Sequence, residues 1–157
     1  MSTERNIQRL PMITALILAV ALLVPVSAVL ADTLLSGKEI KQLINNNTAV
    51  GSRIKQAESV GYPEVWVQFK TYYGADRKMV DVGYAASGGA PFPAHGDWKV
   101  TKQNLCFSYR DSKKDRGKLK CVKVIKKIDG TYDLFRGDGS AYGTWNQILP
   151  GNHYNLK

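Results

Sequence analysis

The chain is poor in the residues that build metal and redox centres. It has two cysteines and two histidines in 157 residues. Zinc sites take four ligands, and His95 and His153 have no ligand-like spacing, so no metal and no cofactor is expected. Neither cysteine sits in a Cys-x-x-Cys pair, which argues against a redox dithiol. Carboxylates are also scarce, 13 Asp and Glu against 22 Lys and Arg. The segment "DGTYDLFRGDG" lacks the alternating carboxylates of a calcium loop. "SGKE" lacks the upstream glycine-rich cradle of a phosphate loop. No internal repeat, linker or second domain is visible.

Long apolar runs are absent except at the amino terminus, where "LPMITALILAVALLVPVSAVLA" follows Arg5 and Arg9. Val29 and Ala31 stand at positions −3 and −1 of a cut before Asp32. A charged region, an apolar region and a small-residue site together read as a signal peptide over residues 1–31. The competing reading is a retained anchor, since Leu10 to Ala31 could span a bilayer. Pro25, Ser27 and Ala28 favour cleavage near Ala31. The expected location is therefore the periplasm or the exterior, with 32–157 as one disulfide-stapled, β-rich domain.

The net charge is +9, and about +8 of it belongs to residues 32–157. Such a balance favours acidic partners: an anionic envelope polymer, a lipid surface or an acidic protein. Basic residues beside Trp98, Phe107, Tyr109 and Tyr132 resemble a nucleic-acid stacking track. Asp111, Asp115 and Asp129 interrupt it, and exported proteins rarely meet nucleic acid, so none is expected.

"LLSGKEIKQLINN" is the one convincing helix. Ser36 and Glu39 form a capping box, Leu35 and Ile40 a hydrophobic staple, and Ile40, Leu43 and Ile44 an apolar stripe. Asn45 to Asn47 end it. Beyond it the period is two: Val65, Val67, Phe69 and Thr71 alternate with Trp66, Gln68, Lys70 and Tyr72. Further short strands are expected in "KMVDVGYA", "DWKVTK", "NLCFSYR", "KLKCVKVIKK", "TYDLFR" and "YGTWNQIL". Between them lie a "GADR" turn, a loop "ASGGAPFPAHG", and turns at Lys102-Gln103, Asp129-Gly130 and Asp138-Gly139. The expected fold is mainly β (α+β): one short N-terminal helix packed on a curved antiparallel meander or small barrel.

In an exported chain, Cys106 and Cys121 are most simply one disulfide. If they face each other across an antiparallel pair, the hairpin tip falls between Lys113 and Lys114, inside the turn-like "DSKKDRG". Leu105, Phe107, Tyr109, Val122 and Val124 then share the core face. Lys113, Lys114, Arg116 and Lys118 gather at the tip as the candidate anion-binding group, a solvated cluster rather than a shaped pocket. A loop of this size contributes about 3 kcal/mol when closed.

Other motifs carry little. "RGD" at Arg136 to Asp138 precedes Gly139 and reads as turn chemistry, and "NNT" at Asn46 matters only where glycosylation occurs. His95 beside Asp97 could serve as a base, but no serine or cysteine is marked out as its nucleophile, and no catalytic residue is assigned. Trp66, Trp98 and Trp145 read as core rather than as sugar platforms.

From Leu35 onward the chain resembles a small exported bacterial family, the domain-of-unknown-function 995 family. The resemblance rests on "LSGKEIKQLI", "GDWKV" with Trp98, "LCFSY" with Cys106, "KCVKVIKK" with Cys121, "GTYDL" and "PGNHYNL". It implies a bacterial source and an envelope or secreted location, and no activity. The function expected is thus a non-enzymatic binding or accessory domain for an anionic envelope component or acidic partner. The alternatives are a protein inhibitor of a lytic enzyme and, further off, a small hydrolase using His95 and Asp97.

Overall fold

The computed structural model describes residues 31–55, 65–84, 90–112 and 116–157. The expected leader, apart from Ala31, and Lys113 and Lys114 lie outside them. Residues Ala31–Lys157 form one compact unit.

The chain opens with a two-residue strand β1 (Thr33–Leu34) and the helix α1 (Gly37–Ile44). The capping box is present: Glu39 N–H donates to Ser36 Oγ at 3.3 Å, and Ser36 N–H to Glu39 Oε2 at 2.7 Å. Eight strands follow: β2 (Asn47–Lys55), β3 (Val65–Tyr73), β4 (Lys78–Tyr84), β5 (Phe92–Val100), β6 (Leu105–Tyr109), β7 (Lys120–Lys126), β8 (Tyr132–Arg136) and β9 (Ala141–Pro150). Each pairs antiparallel with the next, and β9 pairs back onto β2. The meander is a closed barrel. β6 meets β7 only over Leu105–Phe107; further along, β1 takes up that edge of β7 through Thr33 and Leu34.

Period-two alternation puts the apolar set inside. Phe69, Tyr73, Met79, Trp98, Leu105, Phe107, Val122, Val124, Leu134 and Trp145 form one core cluster. Lys78, Lys99 and Lys123 point outward and are exposed. This is the reverse of the alternation in a membrane-spanning barrel, whose outer band is apolar. Ile40 and Ile44 of α1 join the same cluster, and Gly37 N–H donates to Lys102 O in the β5–β6 turn. The helix therefore closes one end. At the other end β2, β4, β6 and β8 finish and β3, β5, β7 and β9 begin.

Two of the long strands differ from expectation. No strand was expected over Asn47–Lys55, where Gly51, Ser52 and Arg53 break the apolar alternation. β2 forms because it closes the barrel, and it needs glycine to do so. A Cβ on Gly51 would lie 1.8 Å from Thr144 O, and one on Gly143 would lie 2.4 Å from Ser52 O. β5 begins at Phe92, inside the expected loop. β6 pairs with β5 only from Gly96 onward, so Pro93 sits where the strand has a single neighbour and proline is tolerated.

Cys106 and Cys121 are bonded and directly opposed in the β6–β7 register, with Cα atoms 4.0 Å apart. The expected face division holds, with Leu105 opposite Val122 on the core side. Replacing both cysteines by serine should lower stability by about 2–4 kcal/mol in urea unfolding.

Three turns share one construction. In Gly74–Lys78, Lys127–Thr131 and Arg136–Ser140 an aspartate accepts from the backbone N–H two residues on: Asp76 from Lys78 at 3.0 Å, Asp129 from Thr131 at 2.9 Å and Asp138 from Ser140 at 2.9 Å. The residue after each aspartate is left-handed, at φ 86° for Gly130 and 84° for Gly139, but Arg77 holds the place at 67°. A left-handed non-glycine residue costs about 1–2 kcal/mol. Arg77→Gly should therefore raise the urea midpoint by the equivalent of about 1 kcal/mol. A fall would mean that the Arg77 side chain contributes more than its backbone costs.

Candidate functional site

The sequence-derived candidates divide. Arg116 and Lys118 are exposed, and Arg116 Nε donates to Arg110 O at 3.1 Å. His95 and Asp97 share a strand but not a bond. His95 Nδ1 lies 2.6 Å from Asp111 Oδ2, whereas Asp97 takes Lys78 Nζ at 2.6 Å. Lys78 holds the Asp97 carboxyl below its ordinary range, and the backbone N–H and ring of His95 do the same for Asp111. The His95–Asp97 pairing that a hydrolase would use is not formed. Among the described residues no three His, Cys, Asp or Glu side chains gather as a metal site.

A polar cluster that the sequence did not mark lies inside the barrel toward the end opposite the helix. Asp81 on β4 is 2% exposed. Register sets it opposite Thr71 of β3, whose hydroxyl donates to Asp81 Oδ1 at 2.7 Å. Tyr109 from β6 donates its hydroxyl to Oδ2 at 2.8 Å. Arg53 from β2 places Nη1 at 2.8 Å from the same oxygen and also donates to the Tyr109 oxygen at 3.0 Å. The guanidinium lies 5.1 Å over the Phe69 ring. A buried charge is tolerable only when paired and hydrogen-bonded, and Asp81 receives three donors.

The ionisation states follow. Burial, reinforced by the Asp81 charge, pushes the Tyr109 hydroxyl well above its ordinary value, so it remains a donor. Burial does the same to Tyr73. For Arg53, burial disfavours the cation, but Asp81, Tyr109 and Tyr142 together outweigh it and the group is held more firmly charged than in water.

Two more cations face inward at this end. Lys120 is opposite Phe107 in the β6–β7 register, its Nζ 5.9 Å from the Tyr109 ring centre. Arg136 is opposite Val122, lies 5.4 Å over the Tyr142 ring, and donates to Ser140 Oγ and Ala141 O. A bulge in the β8–β9 register leaves Tyr142 without a partner, and its ring lines the interior. Bulges commonly re-aim a side chain in this way. Among the described residues Asp81 is the one carboxylate on the inner face.

The interior has almost no free volume. A cavity of about 10 Å³ lies among Arg53, Tyr73, Tyr109, Tyr142 and Trp145, room for one group the size of a water. Trp145 is wholly buried, and its Nε1–H has no hydrogen-bond partner among the described residues. Trp98, by contrast, donates to Gly74 O at 3.0 Å. Trp98 and Trp145 are core, as expected in a domain of this size, and the Trp66 side chain lies outside what the structure describes.

No family model matches the chain, and no curated protein or solved structure is detectably similar to it.

Removing one member of a buried ion pair strands the other charge, at a cost of about 3–5 kcal/mol. Asp81→Asn should lower stability by that amount in urea unfolding. The double change Arg53→Met, Asp81→Leu should cost clearly less than Asp81→Asn alone. Equal losses would mean that the pair stabilises by shape and not by charge.

Proposed function

We propose that this chain is an exported, non-enzymatic binding domain whose barrel end opposite the helix takes an anionic component of the cell envelope. The observation that carries the reading is the inward-facing set Arg53, Lys120 and Arg136, brought together from three strands, with Asp81 the one inward carboxylate among the described residues. The tight interior supports a surface or end-on mode, since enclosed small-molecule sites need about 300–1,000 Å³. Export is supported by the tripartite composition of residues 1–31 and by a disulfide, which persists in oxidising compartments. The resemblance to an exported bacterial family agrees with both. In this reading Arg116 and Lys118, with Lys113 and Lys114 between the same two strands, supply long-range attraction and no shaped contact. An acidic partner protein would be met by the same charges.

The test is binding of the protein, expressed with its leader and purified as it matures, to vesicles with and without anionic lipid and to a soluble anionic polymer. Binding to at least one anionic target should weaken by about tenfold or more between 0.1 and 1 M salt, as the Debye length falls from about 10 to about 3 Å. Equal binding to neutral vesicles, or no dependence on salt, would overturn the reading.

A further inference from the structure

β7 runs past its neighbour on one side. β6 begins at Leu105, opposite Val122, because the chain before it turns over residues 101–104, where Thr101 N–H donates to Asn104 O at 2.9 Å. The backbone of residues 123–126 therefore has β8 along one edge and no β6 along the other. The first residues of the folded unit fill that edge. Leu35 N–H donates to Val124 O at 2.9 Å, Leu34 stands opposite Ile125 and Thr33 opposite Lys126, and the Asp32 carboxylate pairs with Lys127 Nζ. Leu35 is buried in the core cluster. The helix start behind it is pressed against the β5–β6 turn, where a Cβ on Gly37 would lie 2.0 Å from Thr101 O. An unpaired strand edge is a liability, and four residues at the start of the unit remove it.

These contacts begin at the bond where the leader is expected to be cut. Ala31 O, the carbonyl of that bond, accepts from Thr33 Oγ1 at 3.1 Å, and Asp32, on the other side of the bond, is held by Lys127. Susceptibility to a protease is set by the burial and hydrogen bonding of the backbone around the site. Where opening is fast, cutting follows the population of the open form, and a two-residue strand at the end of a unit is the part of a ladder that opens most readily. We propose that β1 is a strap that withdraws the leader junction from proteolysis once the barrel has closed. Removal of residues 1–31 then belongs before β1 docks on β7, or to the moments when it opens. A chain that closes first keeps its leader and stays at the membrane. This rests on the exported reading above and adds a point of control to it: the residues that complete the barrel decide between a released and an anchored domain. The reaction is hydrolysis. Water adds across the Ala31–Asp32 amide, leaving a carboxylate on Ala31 and an amino group on Asp32, and β1 acts on it through access alone.

The test compares one sequence with its strap locked and unlocked. Leu34 and Ile125 are directly opposed, and antiparallel partners lie about 4.5–5.5 Å apart, within the span of a disulfide. Leu34→Cys with Ile125→Cys should therefore cross-link in the full-length precursor held in detergent micelles; a pair that fails to do so would mean that β1 does not lie on β7. With a purified leader peptidase, the oxidised precursor should be cut about tenfold or more slowly than the reduced one. Leu34→Cys alone should be cut at one rate in both states, which removes any effect of the native disulfide. Lys127→Ala leaves the cut sequence intact and should speed cutting by about two- to fivefold, the change expected from losing an exposed ion pair. A peptide of residues 1–36 has no β7 to dock on and should be cut fastest. Equal rates for the locked and unlocked precursors, with the peptide still cut, overturn the strap and leave the exported reading standing. A peptide left whole overturns the leader reading and the strap with it. In the mature domain the Leu35 amide should exchange slowly with solvent, and exchange at the rate of a free chain would equally overturn the strap.

Discussion

Closing eight strands into a barrel leaves an interior just wide enough for side chains, and that closure depends on the contact between the first and last long strands. β2 and β9 approach so closely at Gly51 and Gly143 that a methyl group on either would overlap the facing backbone. Everything inside is then decided by which side chains fill a fixed volume. Trp145, Trp98, Phe107 and Tyr73 take most of it, and α1 seals one end with Ile40 and Ile44. The other end receives what is left over, and what is left over is polar.

That polar remainder is organised around Asp81. A carboxylate at 2% exposure would be untenable alone, and its partners come from three different strands, β2, β3 and β6. The same contacts that neutralise it hold the Arg53 guanidinium and the Tyr109 hydroxyl rigidly in place. Side chains locked by packing and by mutual hydrogen bonds are the usual support for a binding constellation. The Tyr142 bulge and the Arg136 turn extend this rigidity toward the barrel rim. The inward-facing cations Arg53, Lys120 and Arg136 are therefore built into the wall of the barrel.

At the helix end two of the three strand-to-strand turns, Gly74–Lys78 and Lys127–Thr131, have an aspartate accepting from the chain two residues later and a left-handed residue between. Local chemistry of this kind settles a turn almost independently of its surroundings. At the other end the turn Arg136–Ser140 has the same local construction.

The features legible in the sequence were the local ones. Ser36 and Glu39 announce the helix start, because a capping box needs only residues three apart. The alternation in Val65–Tyr73 and Lys78–Tyr84 announces strands, because a strand's two faces differ along its own length. The cysteine pair and the turn midway between them announce the β6–β7 register, which then divides Leu105 and Phe107 from Cys106 without further information. Closure was not legible, nor was β2, because Gly51, Ser52 and Arg53 are placed for neighbours roughly ninety positions away in β9. The His95–Asp97 pairing illustrates the same limit: residues two apart on a strand share a face, but each found a better partner across it, Asp111 and Lys78. The basic group that faces inward is Arg53, Lys120 and Arg136, from three strands and no common motif. Only the barrel brings them together, because charge in a sequence is a count, and charge in a structure is a direction.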